Sequence, residues 1–206
     1  MTMLMTAAKT VLAVPAVFNL YQWLVGAPDC HRRFLAEHVR PQPGERILDI
    51  GCGTGASLRF LPAGIDYVGI DISEAYIAHA RRLHPGRGTF LVADATRVDF
   101  RLEGRFDRAF AFGVLHHLGD REAAMLLGNV MAALAPKGSI TTIDPCFVDG
   151  QHPVAHFLAR HDRGGSVRRP EQLPSLFSAI GQPDIAVVHD MLRVPYSQVI
   201  ARISRT

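Results

Sequence analysis

The chain has 206 residues, a length that suits one globular domain with a substantial core. Its residues are 48% apolar and 20% charged, as in ordinary soluble proteins, and its net charge of +3 is too small to favour a nucleic-acid partner. Cys30, Cys52 and Cys146 are far apart and odd in number, so they predict neither a disulfide framework nor a zinc site. We expect no metal and a reducing, cytoplasmic setting.

The N-terminal residues 7–27 are largely apolar. No positive charge precedes Lys9, as a signal peptide would require. Polar residues and a proline interrupt the run, whereas a membrane span needs about 20 apolar residues. We therefore predict a helical cap over residues 1–44 and no stable membrane anchor.

Strands and helices alternate after residue 45, which is typical of a parallel sheet with helices on both faces. The predicted strands are 46–50, 66–70, 89–92, 106–112, 139–143, 185–189 and 197–203. The predicted helices are 56–61, one that Ser73 caps, 121–134 and 171–180. No linker or repeat divides the chain, so we predict a single domain.

The stretch "ILDIGCGTGAS" places three glycines between a buried strand and the start of a helix. Such a turn presents backbone N–H groups to a ligand, and glycine permits both positive φ and close approach. Gly51, Gly53 and Ala56 fit the dinucleotide-type pattern G-x-G-x-x-A. The pattern alone is a weak signal, because a glycine turn can also hold nothing.

Carboxylates stand at the ends of the first three predicted strands. Asp71 follows strand two, 20 residues after Gly51, where it could accept from both hydroxyls of a ribose. Asp94 follows strand three and could accept from an adenine amino group. Either residue could instead cap a helix or a loop. Asp49 precedes the glycine turn and favours a cationic ligand over a pyrophosphate, which it would repel.

The segments "ILDIGCGTG", "VGIDIS", "LVADAT", "FDRAFAFGVLHHL" and "LAPKGSITTID" resemble the successive motifs of class I S-adenosylmethionine-dependent methyltransferases. The resemblance covers about residues 44–146. It implies an α/β, Rossmann-like three-layer sandwich with a seven-stranded, mostly parallel sheet and an antiparallel last strand. It also divides the domain into the cap, a cofactor-binding core at 45–146, and an acceptor-side insertion with the last strands at 147–206.

The resemblance further implies roles for the residues of these motifs. The three glycines would wrap the methionine part of S-adenosylmethionine, with Asp49 behind them. Asp71 would hold the ribose, Asp94 and Ala95 would meet the adenine, and backbone at the end of strand four would meet the amino-acid end. The predicted cofactor-binding residues are Asp49, Gly51, Cys52, Gly53, Thr54, Gly55, Asp71, Ile72, Asp94, Ala95, Phe112 and Gly113.

A catalytic base is needed only if the methyl acceptor must lose a proton. His116 and His117 follow strand four, and an imidazole titrates near neutrality. We predict His117 as the base and rank His116 lower. The alternative is a packing or loop-orienting role, because the pair also occurs in family members with unrelated substrates. Asp144, at the end of strand five, is the third catalytic candidate; it could equally be a turn carboxylate.

The segment after strand five carries four arginines around a pair of glycines. We predict a mobile lid in which Arg163 or Arg168 binds an anionic group of the acceptor, with Tyr21 of the N-terminal cap as an apolar wall. A solvated surface and an apolar acceptor are the alternative. His152 and His156 could share a helix face and bind a metal, but no third ligand accompanies them.

The predicted function is methyl transfer from S-adenosylmethionine to a small-molecule acceptor, by in-line displacement. A homodimer is left open. One alternative is an NAD(P)-dependent oxidoreductase, but no Tyr is followed four residues later by Lys, and the carboxylates suit a sulfonium ligand better. The other is a non-catalytic nucleotide-binding module of the same fold, which the intact glycines and Asp residues disfavour.

Overall fold

The computed structural model describes residues 26–205, so Tyr21 and most of the predicted cap lie outside the described residues. Seven strands form one sheet in the order β3-β2-β1-β4-β5-β7-β6. Of the six neighbouring pairs four are parallel, and β7 runs antiparallel to both β5 and β6. The predicted fold class is confirmed. The strands are β1 Arg46–Ile50, β2 Asp66–Asp71, β3 Thr89–Val92, β4 Phe106–Phe112, β5 Leu134–Pro145, β6 Asp184–Val188 and β7 Gln198–Ser204.

Helices cover both faces of this sheet because its central strands are apolar on both sides. Ile47 of β1 packs with the cluster under α1 and α2, whereas its neighbour Leu48 packs with the opposite cluster under α3 and α5. Within residues 26–205 no helix is long and apolar enough to cross a membrane. The helices are α1 Ala27–Arg33, continued by a π-helical segment Phe34–Val39, α2 Glu74–Leu83, α3 Asp120–Ala133, α4 Pro153–Arg160 and α5 Leu173–Phe177.

Two predicted helices are shorter in the structure. The helix predicted at 56–61 is a 3₁₀ turn, Ala56–Phe60, because Leu61 precedes a proline and adopts an extended conformation. The helix predicted at 171–180 is reduced to the 3₁₀ turn Pro170–Gln172 and the short α5, which begins with a proline in its first turn. The structure also contains α4 in the segment after β5, for which no helix bounds are predicted.

Candidate functional site

The glycine turn after β1 has all three of its glycines in the left-handed region, with φ of 67° at Gly51, 54° at Gly53 and 76° at Gly55. They differ in what surrounds them. A Cβ on Gly51 would lie 2.6 Å from Val114, and one on Gly55 would lie 2.9 Å from the ring of Phe90. A Cβ on Gly53 would meet no atom within 4 Å. Gly53 therefore faces open space, whereas Gly51 and Gly55 allow neighbouring side chains of the protein to pack against the turn.

Asp71 fixes the open side of this turn. Its Oδ2 accepts the backbone N–H of Gly53 at 2.9 Å, and its Oδ1 accepts that of Ser73 at 2.8 Å. A carboxylate oxygen has two lone pairs, so each oxygen can accept a further hydrogen bond. The adjacent Ile72 has a side chain that is 75% exposed, which leaves an apolar surface beside the carboxylate.

The end of β3 carries the second carboxylate of this edge. Oδ1 of Asp94 accepts from the backbone N–H of Thr96 at 2.9 Å and from its hydroxyl at 2.6 Å. Ala95 is buried, and its carbonyl accepts from the side-chain amide of Asn129 on α3. Parallel strands end at the same edge of a sheet, so Asp94 and Asp71 lie on the side of the sheet that carries the glycine turn.

Asp49 lies behind the glycine turn and is 1% exposed. Its Oδ2 accepts a hydrogen bond of 2.8 Å from the hydroxyl of Tyr67. Burial raises the pKa of Asp49 to about 7, although the hydroxyls of Tyr67 and Ser57 act in the opposite direction. Cys52 and Thr54 are buried within the turn, and burial raises the pKa of the Cys52 thiol. The interior of the site is thus poor in water, and its carboxylate titrates near neutrality.

The end of β4 is held by α1. The ring of Phe112 stacks on His31 with centroids 3.7 Å apart and meets Phe34 edge-on at 5.6 Å. Burial lowers the pKa of His31 to about 4, so this ring is neutral near pH 7. Gly113 has φ of 67° and donates its N–H to Ile143 at 2.8 Å. Sequence reasoning missed His31, for which the only signal is its place on the buried face of α1.

The turn Leu115–His117 brings the three predicted catalytic residues together. Nδ1 of His116 lies 2.9 Å from Oδ1 of Asp144, and the ring of His117 lies 4.1 Å from that of His116. Desolvation lowers the pKa of His117 to about 4, and the neighbouring His116 acts in the same direction. The structure adds Asp162, whose Oδ1 lies 3.2 Å from Nε2 of His116. The one sequence feature that could have pointed to Asp162 is that it is the only acidic residue between 151 and 170.

The two arginines predicted to bind the acceptor lie in different environments. Arg168 is 8% exposed, and its guanidinium donates to the carbonyls of Leu115 at 2.8 Å and Leu118 at 2.6 Å and pairs with Asp120 at 2.9 Å. These contacts favour a structural role for Arg168, and its predicted acceptor-binding role stays a prediction. Arg163 is exposed, and its charge acts on His117.

The predicted histidine pair of the insertion does not share a metal site. Nδ1 of His152 accepts the N–H of Val154 and caps α4, whereas the ring of His156 packs at 5.4 Å from that of Phe147. Between residues 26 and 205 no group of three or more His, Cys, Asp or Glu side chains is arranged to hold a metal ion.

Comparisons with known proteins show which proteins this chain is similar to. Residues 47–138 match a family model described as a methyltransferase domain. The chain is similar to an O-methyltransferase of Aspergillus nomiae, with 35% identity over 135 residues, which are 62% of this chain and 58% of that one. It is also similar to an O-methyltransferase of Pyrenophora dematioidea, with 33% identity over 119 residues, 54% of this chain and 43% of the relative.

These matches support the resemblance to class I S-adenosylmethionine-dependent methyltransferases that the motifs predict. The chain spans about half the length of these curated relatives. Solved structures show the same fold: the pyocyanin biosynthetic protein PhzM gives a TM-score of 0.73 at 16% identity over 93% of this chain and 58% of its own. Magnesium protoporphyrin IX methyltransferase of Synechocystis, solved with bound SAH, gives 0.65 at 20% identity over 88% and 84%.

The residues of the glycine turn fit S-adenosylmethionine. The open side of Gly53 leaves room for a ligand against the backbone. Asp71 retains lone pairs for hydroxyl donors, and the exposed Ile72 offers an apolar surface next to it. Asp49 places a titrating carboxylate behind the turn, as a cationic sulfonium ligand would favour.

Proposed function

We propose that this protein is an S-adenosylmethionine-dependent methyltransferase that methylates a hydroxyl oxygen of a small molecule. The observation that carries the proposal is the open cradle at Gly53, bounded by the carboxylate of Asp71, within the segment that matches the methyltransferase family. The choice of oxygen is supported by the relatives named as O-methyltransferases.

The cofactor-binding roles follow from the surroundings of each residue. Gly53 gives the ligand access to the backbone, and Asp71 accepts from the ribose hydroxyls. Ile72 packs on the adenine, and Asp94 with Ala95 receives its polar edge. The carboxylate of Asp49, behind the glycine turn, supplies negative charge that attracts the cationic ligand. S-adenosylmethionine supplies an activated methyl group on a sulfonium sulfur.

The acceptor site is proposed at the end of β4, beside the Leu115–His117 turn. His117 is neutral near pH 7 because its pKa is lowered to about 4, so it can accept a hydrogen bond from the acceptor's hydroxyl. This hydrogen bond orients the hydroxyl oxygen, and the ring of His117 can receive the proton that the hydroxyl loses. A base of such low pKa is unprotonated near pH 7 but weak, so we assign most of the rate to alignment and exclusion of water.

Two further parts of the proposal concern the setting of the protein. The three cysteines are buried and free, which supports a reducing compartment such as the cytoplasm. A homodimer stays a prediction. The oxidoreductase alternative is not favoured, since the family match and the carboxylates at the strand ends both fit methyl transfer.

The test is a direct search for turnover. The full chain is incubated with S-adenosylmethionine and a panel of phenols, alcohols, carboxylic acids and amines, and S-adenosylhomocysteine and methylated products are followed by mass spectrometry. We expect products from hydroxyl-bearing acceptors and none from the Gly53→Val variant, in which a β-branched residue would occupy the left-handed conformation. Turnover confined to amines would contradict oxygen as the target, and full activity of the variant would contradict the site.

A further inference from the structure

The imidazole of His116 is bound on both sides by carboxylates from distant parts of the chain. Nδ1 lies 2.9 Å from Oδ1 of Asp144 on β5, and Nε2 lies 3.2 Å from Oδ1 of Asp162. The same oxygen of Asp144 also accepts the backbone N–H of His116 at 3.1 Å. The side chains of His116, Asp144 and Asp162 are only 9%, 8% and 19% exposed. Little water competes at these contacts, which strengthens the interactions between the groups.

This geometry determines what His116 can do. Each ring nitrogen of His116 faces a carboxylate oxygen of the protein, on β5 at Nδ1 and on segment 161–169 at Nε2. Both nitrogens are therefore turned toward protein carboxylates rather than toward a bound acceptor. Of the histidine pair, His117 is the one that remains available.

Asp162 belongs to the segment 161–169, which follows α4 and docks on His116. The N–H of Ser166 donates to the carbonyl of His116 at 3.0 Å, and a Cβ on Gly164 would overlap that carbonyl. Asp162 is itself held by the N–H of Gly164, 2.7 Å from Oδ1, and by the hydroxyl of Tyr196, 3.4 Å from Oδ2. The carboxylate is thus fixed in place before it meets the imidazole.

His117 rests on this assembly, since its ring lies 4.1 Å from that of His116 with the planes at 39°. We infer that Asp162 is a positioning residue for methyl transfer: it holds His116 from the acceptor-side segment, and His116 orients His117 toward the acceptor's hydroxyl. The inference rests on the proposed function, which supplies that acceptor. The position of segment 161–169 and the orientation of His117 are therefore coupled through Asp162.

The first test compares two matched substitutions. Asp162→Asn preserves size and the oxygen that binds the N–H of Gly164, but it removes the charge that faces His116. Asp149→Asn is the control, because Asp149 pairs with Arg169 at 2.9 Å with its side chain 93% exposed. We expect Asp162→Asn to lower kcat about tenfold or more while the Kd for S-adenosylmethionine changes less than about twofold. The control should change neither.

A second readout needs neither acceptor nor cofactor. Histidine ¹⁵N spectra of the full chain near pH 7 report which ring nitrogens carry protons, and a His116→Gln sample assigns the signals. We expect the ring ¹⁵N signals of His116 to move in Asp162→Asn and to keep their wild-type positions in Asp149→Asn. An unchanged kcat in Asp162→Asn, or unchanged His116 signals, overturns the inference. A wild type that neither binds S-adenosylmethionine nor methylates refutes the proposed function, and the spectra then decide the role of Asp162 separately.

Discussion

Replacing Gly53 with alanine separates ligand contact from protein packing. The new Cβ would meet no protein atom within 4 Å, so the cost to folding comes from the backbone, whose φ is 54°. Left-handed alanine costs about 1–2 kcal/mol, and about 0.4–1 kcal/mol of this is offset because alanine restricts the unfolded chain. The net loss of about 1 kcal/mol corresponds to a Tm lower by about 2–4 °C.

The effect on the cofactor should be larger, because the Cβ enters the space assigned to it. We expect the Kd for S-adenosylmethionine to rise at least about tenfold, or about 1.4 kcal/mol, measured by calorimetry. Gly44→Ala is the matched control: its φ is 88°, a Cβ there also meets nothing within 4 Å, and it precedes β1 at the opposite edge of the sheet. It should lower Tm similarly and leave Kd unchanged. Equal affinities for the two variants would refute the reasoning.

Three further predictions follow from the same contacts. Asp71→Ala removes charge-assisted hydrogen bonds worth about 1.5–3 kcal/mol each, so the Kd for S-adenosylmethionine should rise at least about tenfold. An unchanged Kd would indicate that Asp71 acts only as a helix cap. The pKa of Asp49 is raised to about 7, and only its ionised form attracts a cation, so affinity should increase as pH rises toward 7 and then level off. Binding should release protons below that pH, and Asp49→Asn should remove both effects; a wild-type affinity independent of pH would exclude this role. Arg168→Ala leaves buried carbonyls without their donor and should lower Tm by several degrees, whereas Arg163→Ala, at an exposed position, should lower Tm less and raise the acceptor KM. The opposite pattern would make Arg168 the acceptor contact.

Much of the fold was predictable because local signals agree with the tertiary structure. The central strands are short apolar runs bounded by turn residues, and β3 and β4 begin and end where the sequence predicts. The helix lengths were not predictable from periodicity alone. Proline restricts the backbone at Leu61 and in the first turn of α5. These restrictions shorten both helices, although the apolar spacing predicts longer ones.

The site was predictable only to the level of strand ends. Carboxylates at the ends of β1, β2 and β3 could be assigned to one edge of the sheet, as parallel strands require. Which glycine faces open space, and whether Arg168 is buried, depend on side chains brought in from other segments. The contact between His116 and Asp162 is likewise made by residues far apart in the chain, so no local sequence pattern predicts it.

The most direct test of the central claim is calorimetric titration of the full chain with S-adenosylmethionine, S-adenosylhomocysteine and NAD(P) in turn. We expect that the first two bind at one site per chain, that NAD(P) gives no binding heat, and that Asp71→Ala weakens both complexes. Binding of NAD(P) at the same site, or no binding of S-adenosylmethionine by the folded protein, would contradict the claim.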